Sequence, residues 1–191
     1  MLYIEKVKEN QKAFADKVND ISKKLKINPN WLMLVMNSES RLNHKIVNPN
    51  GGATGLIQFM PKTAIGLDTT TQKLKEMSNV SQLDYVYKYF KPYAGRIKSY
   101  LDLYLITFFP LGIGKSDNWI MQTKTLRADT IAKQNPAINK FVKDNKITIG
   151  EFKKYVNSTI PKDIITKLDD NKLPIMAIIL FFGIGLFFLT K

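Results

Sequence analysis

Residues 31–64 read WLMLVMNSESRLNHKIVNPNGGATGLIQFMPKTA, an apolar run that ends in one carboxylate, Glu39, and is followed by a glycine-punctuated loop. Asn28 is placed to cap a helix and Pro29 to take its first position. Trp31, Leu32, Leu34, Val35 and Met36 then predict a buried helix that Glu39 closes. A carboxyl held against apolar walls resists ionisation, so its pKa rises and it keeps its proton until an acceptor needs it. Glu39 is the candidate catalytic acid on this reading; the plainer alternative is a solvated glutamate on the last helical turn.

The loop bears on that choice. Gly51, Gly52 and Gly55 supply backbone without side chains, suited to positive φ or to close approach of a ligand, and they run into Leu56, Ile57, Gln58, Phe59, Met60 and Pro61. Two motifs in this order, Glu39-Ser40 and then GATGLIQFMPKTA at 52–64, resemble the soluble lytic transglycosylase family of lysozyme-like murein-cleaving enzymes. The resemblance covers the first 120 residues or so. It implies a goose-type, lysozyme-like helical domain that cuts the bond between N-acetylmuramic acid and N-acetylglucosamine in peptidoglycan. It also implies that Glu39 is the sole acid and base, closing the muramyl sugar on its own C6 hydroxyl as a 1,6-anhydro product.

The residues themselves give modest support for one carboxylate. Ordinary glycosidases place two across the scissile bond, yet the acidic residue after Glu39 is Asp68, so a second would have to come from Asp68, Glu76 or Asp84. Hydrolysis of lysozyme type is the alternative. Ser40 is a candidate to bind substrate or orient Glu39, against a role as a polar residue at a helix end. Gln58, an amide among apolar neighbours, needs partners that a sugar can supply or that the backbone can. Gly55, Phe59 and Met60 are candidates to line the sugar groove, with core packing as the alternative for the last two.

A third family motif, Ala-Tyr-Asn-Ala-Gly, has its counterpart here in LITFFPLGIG at 105–114, with Phe108 and Phe109 where tyrosine and asparagine are expected. Phenylalanine packs on a sugar face but donates no hydrogen bond. Any hydroxyl reaching Glu39 from this helix must then come from Tyr104, so Tyr104 and Phe108 join the candidate binding residues. This departure resembles phage-associated members of the family.

Elsewhere Phe14, Val18, Ile21 and Leu25 recur at helical spacing, as do Leu83, Val86, Tyr87 and Phe90 after a capping-box-like Ser81 and Asp84. A further stripe of Tyr100, Leu101, Tyr104, Leu105 and Phe108 stops before Pro110. No strand alternation or repeat is evident, so the class is mainly α. Residues 1–120 form the expected catalytic domain and 121–172 a basic helical extension or linker. Within the latter, 135–152 faintly resembles half a calcium loop, but lysines occupy much of it and the nearby acids are Asp144 and Glu151, so it reads as a turn entering a helix. No metal or cofactor is expected.

Residues 173–189 carry no charge, which predicts a single C-terminal transmembrane helix over 173–190, with a buried core helix as the alternative. The first 25 residues are too charged for a secretory signal, and lysines at 153, 154, 162, 167 and 172 precede the span, a bias that keeps the domain on the cytoplasmic side. Peptidoglycan lies on the other side, and a virion membrane or insertion into a bacterial envelope against the bias resolves the conflict. The net charge of +13 favours anionic surfaces, although no nucleic-acid motif is present and nucleic acid is not an expected partner. With no cysteine, disulfide and thiol chemistry are excluded, and the single histidine, His44, reads as a surface loop residue. The expected partners are glycan strands and a lipid membrane. A non-catalytic peptidoglycan-binding protein and a basic membrane structural protein with a degenerate enzyme domain are the readings from other classes.

Overall fold

Helix α2 (Pro29–Ser40) is enclosed by other helices of its unit, and its sequence explains why. Leu32, Met33, Leu34, Val35 and Met36 are all buried, and a helix apolar on every side has to be enclosed by others. The Asn28 side chain caps it by accepting from the Asn30 N–H (2.9 Å), with Pro29 in the first turn as predicted. Trp31, expected in the core with its neighbours, is only half-buried.

The computed structural model describes residues 1–139 and 144–169. The chain divides into two units, Met1–Ile160 and Pro161–Lys191. Around α2 in the first unit pack α1 (Gln11–Leu25), which also lies on α5 (Asn79–Phe90), and α6 (Tyr100–Phe108). Two short helices, α3 (Pro61–Gly66) and α4 (Thr71–Glu76), connect the loop after α2 to α5. Then come α7 (Ala128–Gln134), α8 (Pro136–Asn139) and α9 (Ile149–Thr159), with α9 against α6. No strand forms among the described residues, only isolated bridges such as Val47 with Thr54. Within the second unit the described element is α10 (Lys162–Asp169).

Two of the predicted stripes are interior: Phe14, Val18, Ile21 and Leu25 on α1, and Leu83, Val86 and Phe90 on α5, are buried, with Tyr87 half-buried; on α6 Tyr104 and Leu105 are buried but Tyr100, Leu101 and Phe108 only half so. The start of α5 differs from expectation. Its cap is Ser78, whose side chain accepts from the Ser81 N–H, and Asp84 is instead paired with Lys17 (2.5 Å). His44 also differs, being 6% exposed with Nε2 buried and unbonded; burial pushes its pKa down, so it is a neutral interior residue.

The boundary expected at residue 120 falls inside the first unit. Backbone hydrogen bonds stitch its two sides together: Met121 N–H to the Ile147 carbonyl (2.8 Å), Ile149 N–H to Trp119 (3.1 Å) and Gly150 N–H to Asp117 (2.8 Å). Residues 121–139 and 144–160 thus belong to the first unit. Glu151 is engaged in a capping box with Thr148, which starts α9, and no group of acids or histidine able to hold a metal occurs among the described residues. The expected membrane span at 173–190 lies outside the described residues; among those, no helix is long and apolar enough to cross a membrane.

Candidate active site

Glu39 sits on the last turn of α2, where the apolar run has brought it to the edge of the core. Its carboxyl is pushed up from 4.5 to about 7, and burial is the sole cause. No cation or second acid offsets that desolvation, so the group exchanges its proton near neutrality, the range in which one residue can serve as acid and then as base.

A cavity of about 390 Å³ opens over it. On the Glu39 side it is lined by Ser38, Tyr104 and Phe108; facing them are Asn135 at the end of α7, Ile138 of α8, and Phe152, Tyr155 and Val156 of α9. Glu39 is the one carboxylate lining it among the described residues. The acids that might have supplied a second lie elsewhere: Asp84 is held by Lys17, Glu76 by Gln72, and Asp68 is exposed.

Tyr104 stands where the sequence reading needs a hydroxyl. Its phenol reaches the Leu34 carbonyl at 3.4 Å, a long contact, and Ser38 bonds to it. Burial is the main cause that pushes its pKa up to about 12, with the Glu39 charge adding to the rise, so the phenol stays neutral beside the acid. Phe108 lies flat on Phe152, ring centroids 4.8 Å apart and planes within 10°. The phenylalanine that replaces the expected tyrosine is therefore the seat on which α9 rests.

The loop residues go to other places. Ser40 is buried, and its hydroxyl lies 2.9 Å from the Met36 carbonyl and 3.0 Å from that of Leu56, so it pins the loop to α2 and faces away from the cavity. Gly55, at φ +82°, approaches protein rather than ligand: a Cβ there would overlap the Gln82 amide. Gln58 adopts φ +53°, donates to the Gly55 carbonyl (3.1 Å) and lines a separate hollow of about 40 Å³ with Met60, Thr63, Tyr89 and Thr107. Phe59 is 2% exposed and meets Tyr89 edge-on at 6.2 Å, whereas Met60 is half exposed at the rim.

Two residues were not among the sequence candidates. Tyr89 lines the Gln58 hollow, donates its hydroxyl to the Ile106 carbonyl (3.0 Å), and has its pKa raised by burial first and by the Tyr93 and Glu39 charges after it. It does not line the Glu39 cavity, although the Glu39 charge acts on it. Gln82 is fully buried, with Oε1 accepting from Leu56 N–H (2.6 Å) and Nε2 donating to the carbonyls of His44 (2.9 Å) and Leu74 (2.8 Å). The available signal was an amide at 79 and another at 82 on the apolar stripe of α5, since a polar group inside a stripe must have interior partners.

The family description Transglycosylase SLT domain matches residues 16–132. No curated protein and no solved structure matches the chain.

Proposed function

The chain belongs to the soluble lytic transglycosylase family of lysozyme-like proteins, and from that membership we propose that it cleaves the β-1,4 bond between N-acetylmuramic acid and N-acetylglucosamine in peptidoglycan with formation of 1,6-anhydro ends. The observation that carries this reading is the single desolvated carboxyl in the cavity, Glu39, with its pKa near 7. In the first step neutral Glu39 gives its proton to the glycosidic oxygen as the bond from that oxygen to C1 breaks. The carboxylate so formed faces the positive charge developing on the sugar ring, and apolar walls strengthen that attraction. Glu39 then removes the proton of the C6 hydroxyl while its oxygen bonds to C1. The acid is restored, and no water enters.

A hydrolase would instead need a base for water or a nucleophile, each a second carboxylate within about 5–10 Å of the first, and none lines the cavity among the described residues. Tyr104 supplies a neutral phenol in the cavity beside the acid. Mass spectrometry of purified peptidoglycan after digestion tests the reading: anhydro ends support it, reducing ends indicate hydrolysis, and an uncut polymer indicates binding alone.

The proposal includes an anchor. The uncharged stretch at 173–189 supports attachment to a membrane, and a virion membrane that delivers the enzyme to the wall on entry suits the phage-like third motif. Full-length protein should then stay with membranes through a high-salt wash, and deletion of 173–191 should release active enzyme. Stripping by salt alone would remove the anchor from the reading.

A further inference from the structure

The hollow beside Gln58 lies on a seam between two segments, with Tyr89 on one side and Thr107 on the other. One turn further along both segments, the same seam opens into a groove of about 530 Å³, with Tyr93 and Arg96 on one side and Pro110, Leu111, Gly114 and Lys115 on the other. The two levels are tied alike: Tyr89 donates to the Ile106 carbonyl (3.0 Å), and Arg96 Nη2 to the Ile113 carbonyl (3.0 Å). Hollow and groove are thus successive openings in one seam, and at its first level Tyr89 feels the Glu39 charge.

The groove has a definite chemistry. Arg96 and Lys115 are exposed, neither is ion-paired among the described residues, and no carboxylate lines the opening. Lys115 only overhangs the Trp119 ring at 6.0 Å. Leu111 is 61% exposed and Tyr93 half-buried, so apolar surface flanks the cations. Gly114 sits against the guanidinium, where a Cβ would already be in van der Waals contact with Nη2 at 3.9 Å.

We propose that this groove is a distal subsite that binds the carboxylates of a peptide stem borne by the glycan strand lying at Glu39. The proposal rests on the peptidoglycan reading above. A strand along the seam carries short peptides between its sugars, and such a peptide offers carboxylates on an aliphatic chain. Arginine forks a carboxylate, lysine adds a second charge, and Leu111 and Tyr93 face the aliphatic part. A general attraction of polyanions to a chain of charge +13 would need no such apolar flanks.

The test uses the full chain carrying Glu39→Gln, so that nothing is cut, titrated calorimetrically with a soluble glycan oligomer bearing peptide stems and with the same oligomer after an amidase has removed them. Stems should tighten binding about three- to tenfold, and Arg96→Gln with Lys115→Gln should abolish that gain while leaving the stem-free oligomer unaffected. Lys115→Gln alone, which keeps the Arg96 bond to Ile113, should lose about twofold. Equal affinity for the two oligomers, equal loss on both, or equally good competition by inorganic polyphosphate would overturn the proposal. Stem-dependent binding by a chain that cuts no peptidoglycan would sink the proposed activity and leave the groove standing; cleavage with stem-blind binding would do the reverse.

Discussion

The loop of residues 43–60 and the segment of residues 121–160 use their side chains in opposite ways. In the loop, the residues that look functional mostly hold the loop itself: Ser40 pins its base, Gly55 makes room for Gln82, and Gln58 bonds its own turn. The later segment looks unremarkable in sequence, yet Asn135, Ile138, Phe152, Tyr155 and Val156 face Glu39 across the cavity. Tight turns and close backbone approaches accept few residue types and so leave a strong signature. A cavity wall asks only for bulk and apolarity, which many residues provide.

The largest effect expected is at the point where the two regions meet. Glu39→Gln should cut the cleavage rate by about 100- to 10,000-fold, measured by release of soluble muropeptides, because the amide neither gives nor takes the proton. Retention of most of the rate would mean that neither region surrounds the catalytic acid.

Phe152→Ala tests the wall. The ring is buried and stacked on Phe108, so its loss should cost about 3–5 kcal/mol and lower the melting temperature by roughly 10 °C, with cleavage impaired below the transition. An unchanged melting curve and rate would mean that Phe152 does not hold this wall in place.

The wall also sets a pH dependence. The folded pKa of Glu39 is about 7 against 4.5 in the ordinary state, so the folded chain binds the proton more tightly and the unfolded chain ionises first. Stability is therefore greatest below about 4.5, declines as pH rises towards about 7 and is flat above, by a total on the order of 3 kcal/mol. Thermal melts should show Glu39→Gln more stable than the parent at pH 8 and close to it at pH 4, while kcat/KM of the parent falls above about pH 7. Parallel stability curves for the two proteins would show that the acid is not desolvated.

On the loop side, Gln82→Ala should cost about 3 kcal/mol, because it strands the Leu56 N–H and two carbonyls in the interior. Ser40→Ala should be the mildest change, about 1 kcal/mol by denaturant titration, with KM unaltered. A raised KM at unchanged stability would restore Ser40 to the substrate.

Sequence reasoning worked where the controlling interaction is local. The Asn28 cap, the Pro29 first turn, the α1 stripe and the end of α6 before Pro110 depend on neighbours within a few positions. The position of Glu39 followed from the apolar run before it. Other features depend on distant partners: Ser40 turns inward because the Leu56 carbonyl is there, His44 is buried, and Phe108 waits for Phe152. The start of α5 was misread because Ser78 and Ser81 both suit a cap, and the choice lies with Asn79, whose side chain donates to the Glu9 carbonyl.

The Gln82 amide joins three stretches of chain, at 44, 56 and 74, to one helix. Loop and helix are therefore coupled: the loop cannot swing away from α5 without releasing the two interior bonds that Gln82 makes to His44 and Leu56. In terms of motion this makes the loop a stiff part of the molecule. On the proposed function, a strand of glycan would meet a face already set rather than one that folds around it.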